Sequence, residues 1–355
     1  MMVNLMKTNW CVSILFLSVV SFSVYSQDDQ NDKKTVEVYE SPRNKDLAQP
    51  IYPTGDAIEG NEGWVVINFM VDVEGNAFEP SVVASTGSNG FEREAIKALS
   101  KSKFEPAKLE GKPVIGSRYM RYTFSLANEE IGADPRFISN YKRLSKAFEK
   151  NNKEDIDKEL NKLQDRKRLN HYERAYLDFA LSVYASQFGS KVEQMQHLRN
   201  ALRYESYYDD NKEFLPEDLI RSARIELYTT EVQSKRFAEA VQSFHVIRRK
   251  FGEETVEPLR QSYEQIIALK SDDTAYAVDS ALDENGYFHI ELHKQGVAIQ
   301  DATDTINEFK LRCAKKYIFF AYEKDKQYRI PKSWGPCSLQ VLGQANTNFK
   351  LVQFK

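Results

Sequence analysis

The chain has few of the residues that mark a disulfide scaffold, a metalloenzyme or a nucleic-acid-binding protein. Its 355 residues include three cysteines and five histidines. Because 49 basic residues stand against 52 acidic ones, the formal net charge is −3, and a basic footprint for nucleic acid is absent. The mean hydropathy of −0.57 excludes a protein with many membrane spans. The composition therefore predicts globular domains, two or three of them at this length.

Catalytic motifs are also absent. The glycine-containing stretches 60–63 and 87–90 have neither the P-loop lysine nor dinucleotide-binding spacing. His289, Glu291 and His293 alternate along a predicted strand. The two histidines would lie about 13 Å apart there, too far to share one metal ion. We interpret these side chains as a solvated polar face, and we predict no catalytic residue, no metal and no cofactor.

The N-terminus has the pattern of a targeting segment. Lys7 precedes the apolar stretch 10–25, and small residues close it before Gln27. This pattern predicts a signal peptide at 1–26, followed by a polar linker at 27–50. An uncleaved signal anchor is the alternative, although the apolar stretch is short for a span of about 20 residues. Both interpretations place the chain from Gln27 onward outside the cytoplasm.

The stretch from Gly63 to Leu126 predicts two strands, a helix and a third strand. Trp64–Val71 alternates as a strand, and the turn at Asp72–Asn76 contains Gly75, which tolerates positive φ. A second strand follows. Phe91, Ala95, Ala98 and Leu99 then fall on one helical face, and Arg118–Leu126 forms the third strand.

Several short motifs in this stretch occur in a recognisable order. They are Tyr52-Pro53, Glu62-Gly63, Asp72 with Gly75, Ser85-Thr86-Gly87, Ala95 with Ala98, Phe104-Glu105-Pro106-Ala107 and Gly111-Lys112-Pro113-Val114. Together they make residues 51–128 resemble the C-terminal domain of the TonB family, periplasmic energy transducers that contact outer-membrane receptors. The glycines of the interval TGDAIEGNE predict that the short helix usual there is short or absent.

The resemblance implies a binding function. TonB-like domains pair their third strand with the N-terminal box peptide of a TonB-dependent outer-membrane receptor, which is β-strand addition. In this chain that strand supplies Arg118, Tyr119, Met120, Arg121, Tyr122, Thr123 and Phe124. The alternative is that this strand is internal to a sheet or forms a homodimer edge. The resemblance also implies energised nutrient or siderophore uptake, with inner-membrane proton-driven motor proteins as further partners.

The motor-facing features of TonB are missing, which keeps a second function open. Residues 8–26 contain no histidine, whereas a transmembrane histidine engages the motor in TonB. The predicted linker contains only Pro42 and Pro50, not a proline-rich spacer. The alternative is a periplasmic interaction scaffold that keeps the TonB-like fold without motor coupling. It would bind other periplasmic proteins through the helical region described next.

Residues 135–270 are charged and helical in pattern. Stretches beginning at Ser190 and Lys235 resemble equivalent second helices of tetratricopeptide repeats, offset by roughly 45 residues. We interpret the region as tetratricopeptide-like and all-α. An irregular helical bundle is the alternative.

Residues 275–355 contain several short alternating stretches and turn residues at Asp283–Gly286, which predict a small β-sandwich. Cys313 and Cys337 both belong to it, and an exported cysteine pair predicts a disulfide. The whole chain is therefore predicted to be an α+β multidomain protein, with a TonB-like ββαβ domain, a helical region and a C-terminal sandwich.

Overall fold

The computed structural model describes residues 38–126, 132–166, 168–203, 214–324 and 326–355. The predicted signal peptide at 1–26 and the first residues of the predicted linker lie outside these ranges. Residues 38–355 belong to one compact unit. Among the residues that the structure describes, no helix is both long enough and apolar enough to cross a membrane.

Residues 38–126 form what we name the ββαβ module. Its elements are β1 (Tyr39–Glu40), β2 (Arg43–Asp46), α1 (Thr54–Glu59), β3 (Gly63–Val71), β4 (Ala77–Ser85), α2 (Asn89–Lys101), β5 (Lys103–Glu105), β6 (Ala107–Leu109), β7 (Lys112–Val114) and β8 (Gly116–Phe124). The main sheet is antiparallel with the order β4-β3-β8. Helix α2 covers one face, where its Phe91, Ala95 and Leu99 join the core.

The β3–β4 turn shows why the predicted hairpin forms. The Asp72 carboxylate accepts hydrogen bonds from the amides of Glu74 at 3.0 Å and Asn76 at 2.7 Å. Gly75 has φ +83°, and a Cβ there would lie 2.1 Å from the carbonyl oxygen of Phe104. Only glycine therefore fits this turn without displacing the backbone of β5.

Part of the predicted linker belongs to the fold. β1 pairs with β6, and β2 pairs with β5, both antiparallel. The boundary at residue 50 is therefore misplaced, because the polar residues of Arg43–Asp46 gave no apolar alternation from which a strand is predicted. Helix α1 is present but has only six residues, and it ends at Gly60 with φ +69°.

Residues 132–271 form the helical module, apart from 167 and 204–213. Its helices are α3 (Pro135–Glu149), α4 (Lys153–Gln164), α5 (His171–Phe188), α6 (Lys191–Arg203), α7 (Glu217–Gln233), α8 (Phe237–Phe251), α9 (Glu253–Val256) and α10 (Arg260–Ser271), with a 3₁₀ turn at Glu257–Leu259. Consecutive helices pack as the pairs α3–α4, α5–α6 and α7–α8. The two stretches that resemble repeat helices are α6 and α8, each the second of its pair.

Residues 275–355 form the sandwich module, apart from 325. Its strands are β9 (Tyr276–Ala281), β10 (Tyr287–Glu291), β11 (Gly296–Gln300), β12 (Ile306–Cys313), β13 (Tyr317–Ala321), β14 (Gln327–Arg329), β15 (Cys337–Gly343) and β16 (Asn348–Phe354). They make two antiparallel sheets, β10-β15-β12-β13 and β14-β11-β16-β9. Both sheets contribute to one apolar core, including Ile290, Phe309, Val297 and Leu351. Cys313 and Cys337 are register partners and form the predicted disulfide.

Candidate partner-binding edge and its supporting interface

Strand β8 is an edge of the ββαβ sheet within the described part of the chain, since it pairs only with β3. The Trp64 carbonyl accepts from the Thr86 amide on the β4 side. Because backbone groups alternate in direction along a strand, Val65, Ile67 and Phe69 direct theirs to β8. Their register partners on β8 are Tyr122, Met120 and Arg118. The backbone groups of Tyr119, Arg121 and Thr123 consequently point away from β3.

Six of the seven residues predicted to bind a partner divide into two groups, and Arg118 is described separately below. Met120, Tyr122 and Phe124 direct their side chains into the core under α2. Tyr119, Arg121 and Thr123 have their side chains on the opposite face, and their backbone groups lie on the open edge. The alternation in sequence had left the core face undetermined, because both faces carry large side chains.

Arg118 is engaged within the module. Its guanidinium donates to the carbonyl oxygen of Pro42 and, at 2.8 Å, to the side-chain oxygen of Asn44. Both acceptors lie in or next to β2, inside the segment predicted to be a linker. Arg118 therefore holds the N-terminal segment against the start of β8, a role that the sequence pattern did not indicate.

The sheet face opposite α2 is covered by the helical module. Trp64 is 1% exposed and packs with Leu198, Leu202 and Ala223 of α6 and α7. Val66 of β3 and Ala84 of β4 lie at the edge of the same cluster. Both faces of β3 are therefore buried, which explains why its residues are apolar on both sides.

The sandwich module contacts the rest of this face through polar side chains. The Tyr119 hydroxyl on β8 donates to the Glu291 carboxylate at 2.7 Å and lies 3.2 Å from Nε2 of His289. On the β4 side, Arg312 donates to the carbonyl oxygen of Glu79 at 2.5 Å. The side chain of Arg312 is 1% exposed. The sheet β4-β3-β8 and the sandwich sheet β10-β15-β12-β13 thus contact each other through paired polar groups.

A buried charge cluster links this contact to the helices. Arg236 donates two hydrogen bonds to Glu239 and a third, at 2.8 Å, to the carbonyl oxygen of His289. Arg199 pairs with Glu231 at 2.9 Å and with Glu239 at 3.4 Å. The cluster therefore joins α6, α7 and α8 to β10 of the sandwich module.

The pKa values of the acids follow their surroundings. Burial disfavours the charged form of Glu239, but Arg236 and Arg199 outweigh it and hold its pKa below the ordinary range. Burial raises the pKa of Glu291, against the lowering effect of the hydrogen bond from Tyr119. The pKa of Tyr119 is itself raised, first by burial of its hydroxyl and then by the charge of Glu291. Its ring remains partly exposed, so the burial concerns the hydroxyl end.

The interpretation of His289, Glu291 and His293 as a solvated face is wrong. The first two side chains are 18% and 20% exposed and lie in the interface with β8. His293 follows the strand, is 4% exposed, and its Nε2 lies 2.8 Å from the carbonyl oxygen of Ile266 in α10. The partners lie in distant segments, so strand alternation alone did not reveal them. No group of three or more potential metal ligands occurs in the described ranges.

Comparison with known proteins agrees with the geometry of the ββαβ module. Residues 48–126 match the family described as Gram-negative bacterial TonB protein C-terminal. Protein TonB of Vibrio cholerae serotype O1 is 31% identical over 78 residues, which cover 22% of this chain and 32% of that protein. This chain therefore matches about a third of the length of that relative.

Among solved structures, the solution NMR structure of the Pseudomonas aeruginosa TonB C-terminal domain is similar to part of the chain. It has 24% sequence identity and a TM-score of 0.23, and the match covers 25% of this chain and 91% of that one. The family match and the motif order coincide on the same residues. Residues 48–126 therefore form a domain of the TonB C-terminal family.

Proposed function

We propose that this is a periplasmic TonB-like protein that binds the N-terminal box of a TonB-dependent outer-membrane receptor by adding it as a strand beside β8. The observation that carries the proposal is the coincidence of the family match with an open edge at β8. Main-chain groups of Tyr119, Arg121 and Thr123 would supply the hydrogen bonds of the added strand. In this proposal, the protein supports energised nutrient uptake by binding and not by catalysis.

Thr123 offers a sharp test, because its side chain is exposed and its amide points to the open edge. Thr123→Pro removes that donor without removing a bond to β3. We expect a synthetic box peptide to bind this variant about tenfold more weakly, the scale of one lost hydrogen bond. Thr123→Val is the matched control, since it keeps the amide.

Calorimetric titration with the box peptide, together with circular dichroism of each variant, decides the matter. If Thr123→Pro stays folded and binds with unchanged affinity, β8 is not the receiving strand. Tyr122 is unsuitable for this purpose because it is 6% exposed and its amide is directed to β3, so proline there would disrupt the sheet itself.

The scaffold function is the second candidate. It is favoured by the paired helices, which resemble repeat modules that bind proteins. It requires that the wild-type chain bind no box peptide, while a periplasmic partner is captured and then lost when exposed residues of the helical module are replaced. Val192, 67% exposed on α6, is a suitable first position for Val192→Glu.

A further inference from the structure

Strand β13 is a second open edge, in a module outside the family match. It lies at the end of the sheet β10-β15-β12-β13 and pairs with β12 alone in the described part of the chain. Its five residues contain no charged side chain, proline or glycine. Phe319 at its centre is 63% exposed. An uncharged apolar edge of this kind is a ready template for pairing with another strand.

The hairpin hydrogen bonds fix which backbone groups are available. The Cys313 amide donates to the Lys316 carbonyl at 2.8 Å, and the Tyr322 amide donates to the Asn307 carbonyl at 2.9 Å. Residues 316 and 322 therefore point to β12, and by alternation so do 318 and 320. Tyr317, Phe319 and Ala321 are left with their amides and carbonyls on the open edge.

These three residues are symmetric about Phe319, and we propose that β13 pairs antiparallel with β13 of a second copy, with Phe319 opposite Phe319. In this register Tyr317 faces Ala321 and Ala321 faces Tyr317. Three residues from each copy then meet with matched donors and acceptors. The two sheets become one continuous sheet across a two-fold axis, an isologous contact.

The charges at the ends of the strand favour a second copy in the antiparallel sense. Lys315 and Lys316 precede β13, and Glu323 follows it. An antiparallel pair keeps the lysines of the two copies at opposite ends of the contact, whereas a parallel pair would place them together. Lys315 lies over the ring of Tyr39 and Glu323 pairs with Lys326 within the same chain, so these end charges favour the antiparallel sense without forming an ion pair between copies.

The other sandwich edges are less suited to pairing. β9 carries Asp279 within the strand, and β14 is three residues long and ends in Arg329. Strand β10, the opposite edge of the same sheet, carries His289 and Glu291, which are engaged with β8. Charged residues and short length are the usual means by which edges avoid pairing. Of the four edge strands of the sandwich module, β13 is the one that contains no charged side chain and is longer than three residues.

A cysteine at position 319 tests the register directly. Residues opposite each other in a hydrogen-bonded antiparallel pair have Cα atoms about 5.5 Å apart, within disulfide range. In a full chain with Cys11→Ser, we expect Phe319→Cys to give a disulfide-linked dimer under mild oxidation. The control is Gln327→Cys, an exposed position on the edge strand β14, which we expect to remain uncrosslinked. Equal cross-linking of the two variants indicates random collision and overturns the proposal.

Phe319→Lys provides a second measurement that does not depend on cysteine chemistry. It places two lysines opposite each other at the symmetry axis, while its exposed position leaves folding of the single chain intact. Light scattering should give twice the chain mass for the wild type and the single-chain mass for Phe319→Lys, with unchanged circular dichroism. A monomeric wild type, or a variant that dimerises as well as the wild type, overturns the proposal.

Discussion

The hydroxyl of Tyr119 donates a 2.7 Å hydrogen bond to the carboxylate of Glu291, a residue 172 positions later in the chain. The bond joins the open edge strand of the ββαβ module to the outer face of the sandwich module. Glu291 also donates its own amide to Glu239 of α8 at 3.4 Å. The strand proposed to receive a partner is therefore held by Glu291 of the sandwich module, which is itself bonded to the helical module.

Replacing Glu291 by Gln should change the pH dependence of stability. Burial raises the folded-state pKa of Glu291 above its unfolded value, so the unfolded chain releases this proton first as pH rises. The free energy of unfolding therefore falls with rising pH between the two pKa values, by at most about 1.4 kcal/mol per pH unit. Glu291→Gln removes this contribution while keeping an acceptor for Tyr119.

Urea unfolding from pH 4 to pH 8 measures the effect. Stability of the wild type relative to Glu291→Gln should decline as pH rises through that window. The surrounding Tyr119, His289, Glu239 and Arg236 are the same in both proteins. Glu323→Gln, at a site 63% exposed, serves as the control. A difference that stays constant, or that grows with pH, contradicts the assigned direction.

Arg199 should be among the costliest charged residues to replace. Arg199→Met leaves Glu231 and Glu239 near each other with less compensating charge, and breaking a buried pair costs about 3–5 kcal/mol. Lys350→Met removes the ion pair between Lys350, whose side chain is 48% exposed, and Asp301, whose side chain is 67% exposed. This substitution should lower the free energy of unfolding by less than about 1 kcal/mol. Chemical denaturation of both variants at pH 7 makes the comparison, and equal losses would show that the buried cluster contributes no more than a surface pair.

Packing of Trp64 between the ββαβ module and the helices should contribute strongly to the free energy of unfolding. Trp64→Ala removes a side chain that is 1% exposed, and substitutions of this kind cost about 3–5 kcal/mol. Ile58→Ala, at a position 74% exposed on α1, should have little effect. Thermal unfolding followed by circular dichroism compares the two variants. A loss below 1 kcal/mol for Trp64→Ala would mean that the packing of β3 against α6 and α7 is not maintained in solution.

The disulfide should stabilise the whole sandwich module. Cys313 and Cys337 are 24 positions apart, and closing a loop of that length contributes about 3 kcal/mol by the chain-entropy relation. The double variant Cys313→Ala with Cys337→Ala should match the reduced wild type in urea unfolding and should not respond to reductant. Cys11→Ser is the control. A wild type insensitive to reductant would contradict the prediction.

The sequence patterns predicted correctly those elements that depend on residues close together in the chain or on residue type alone. The turn at Asp72–Asn76, helix α2 and the disulfide follow from glycine geometry, helical spacing and an exported cysteine pair. Strand β11 gives no signal for prediction from sequence, because Gly296–Gln300 is short and buried along most of its length and so shows no alternation. The roles of Arg118 and Glu291 were missed because their partners come from other segments of the chain.

The burial of β3 on both faces has a practical consequence for anyone who expresses residues 48–126 alone. Such a fragment would lose β1 and β2 and would leave Trp64, Val66 and Ala84 without their helical cover. Non-specific adsorption, self-association or weak ligand binding by that fragment would then be caused by its newly exposed apolar surface. Tests of the proposed receptor binding are best interpreted with all three modules attached.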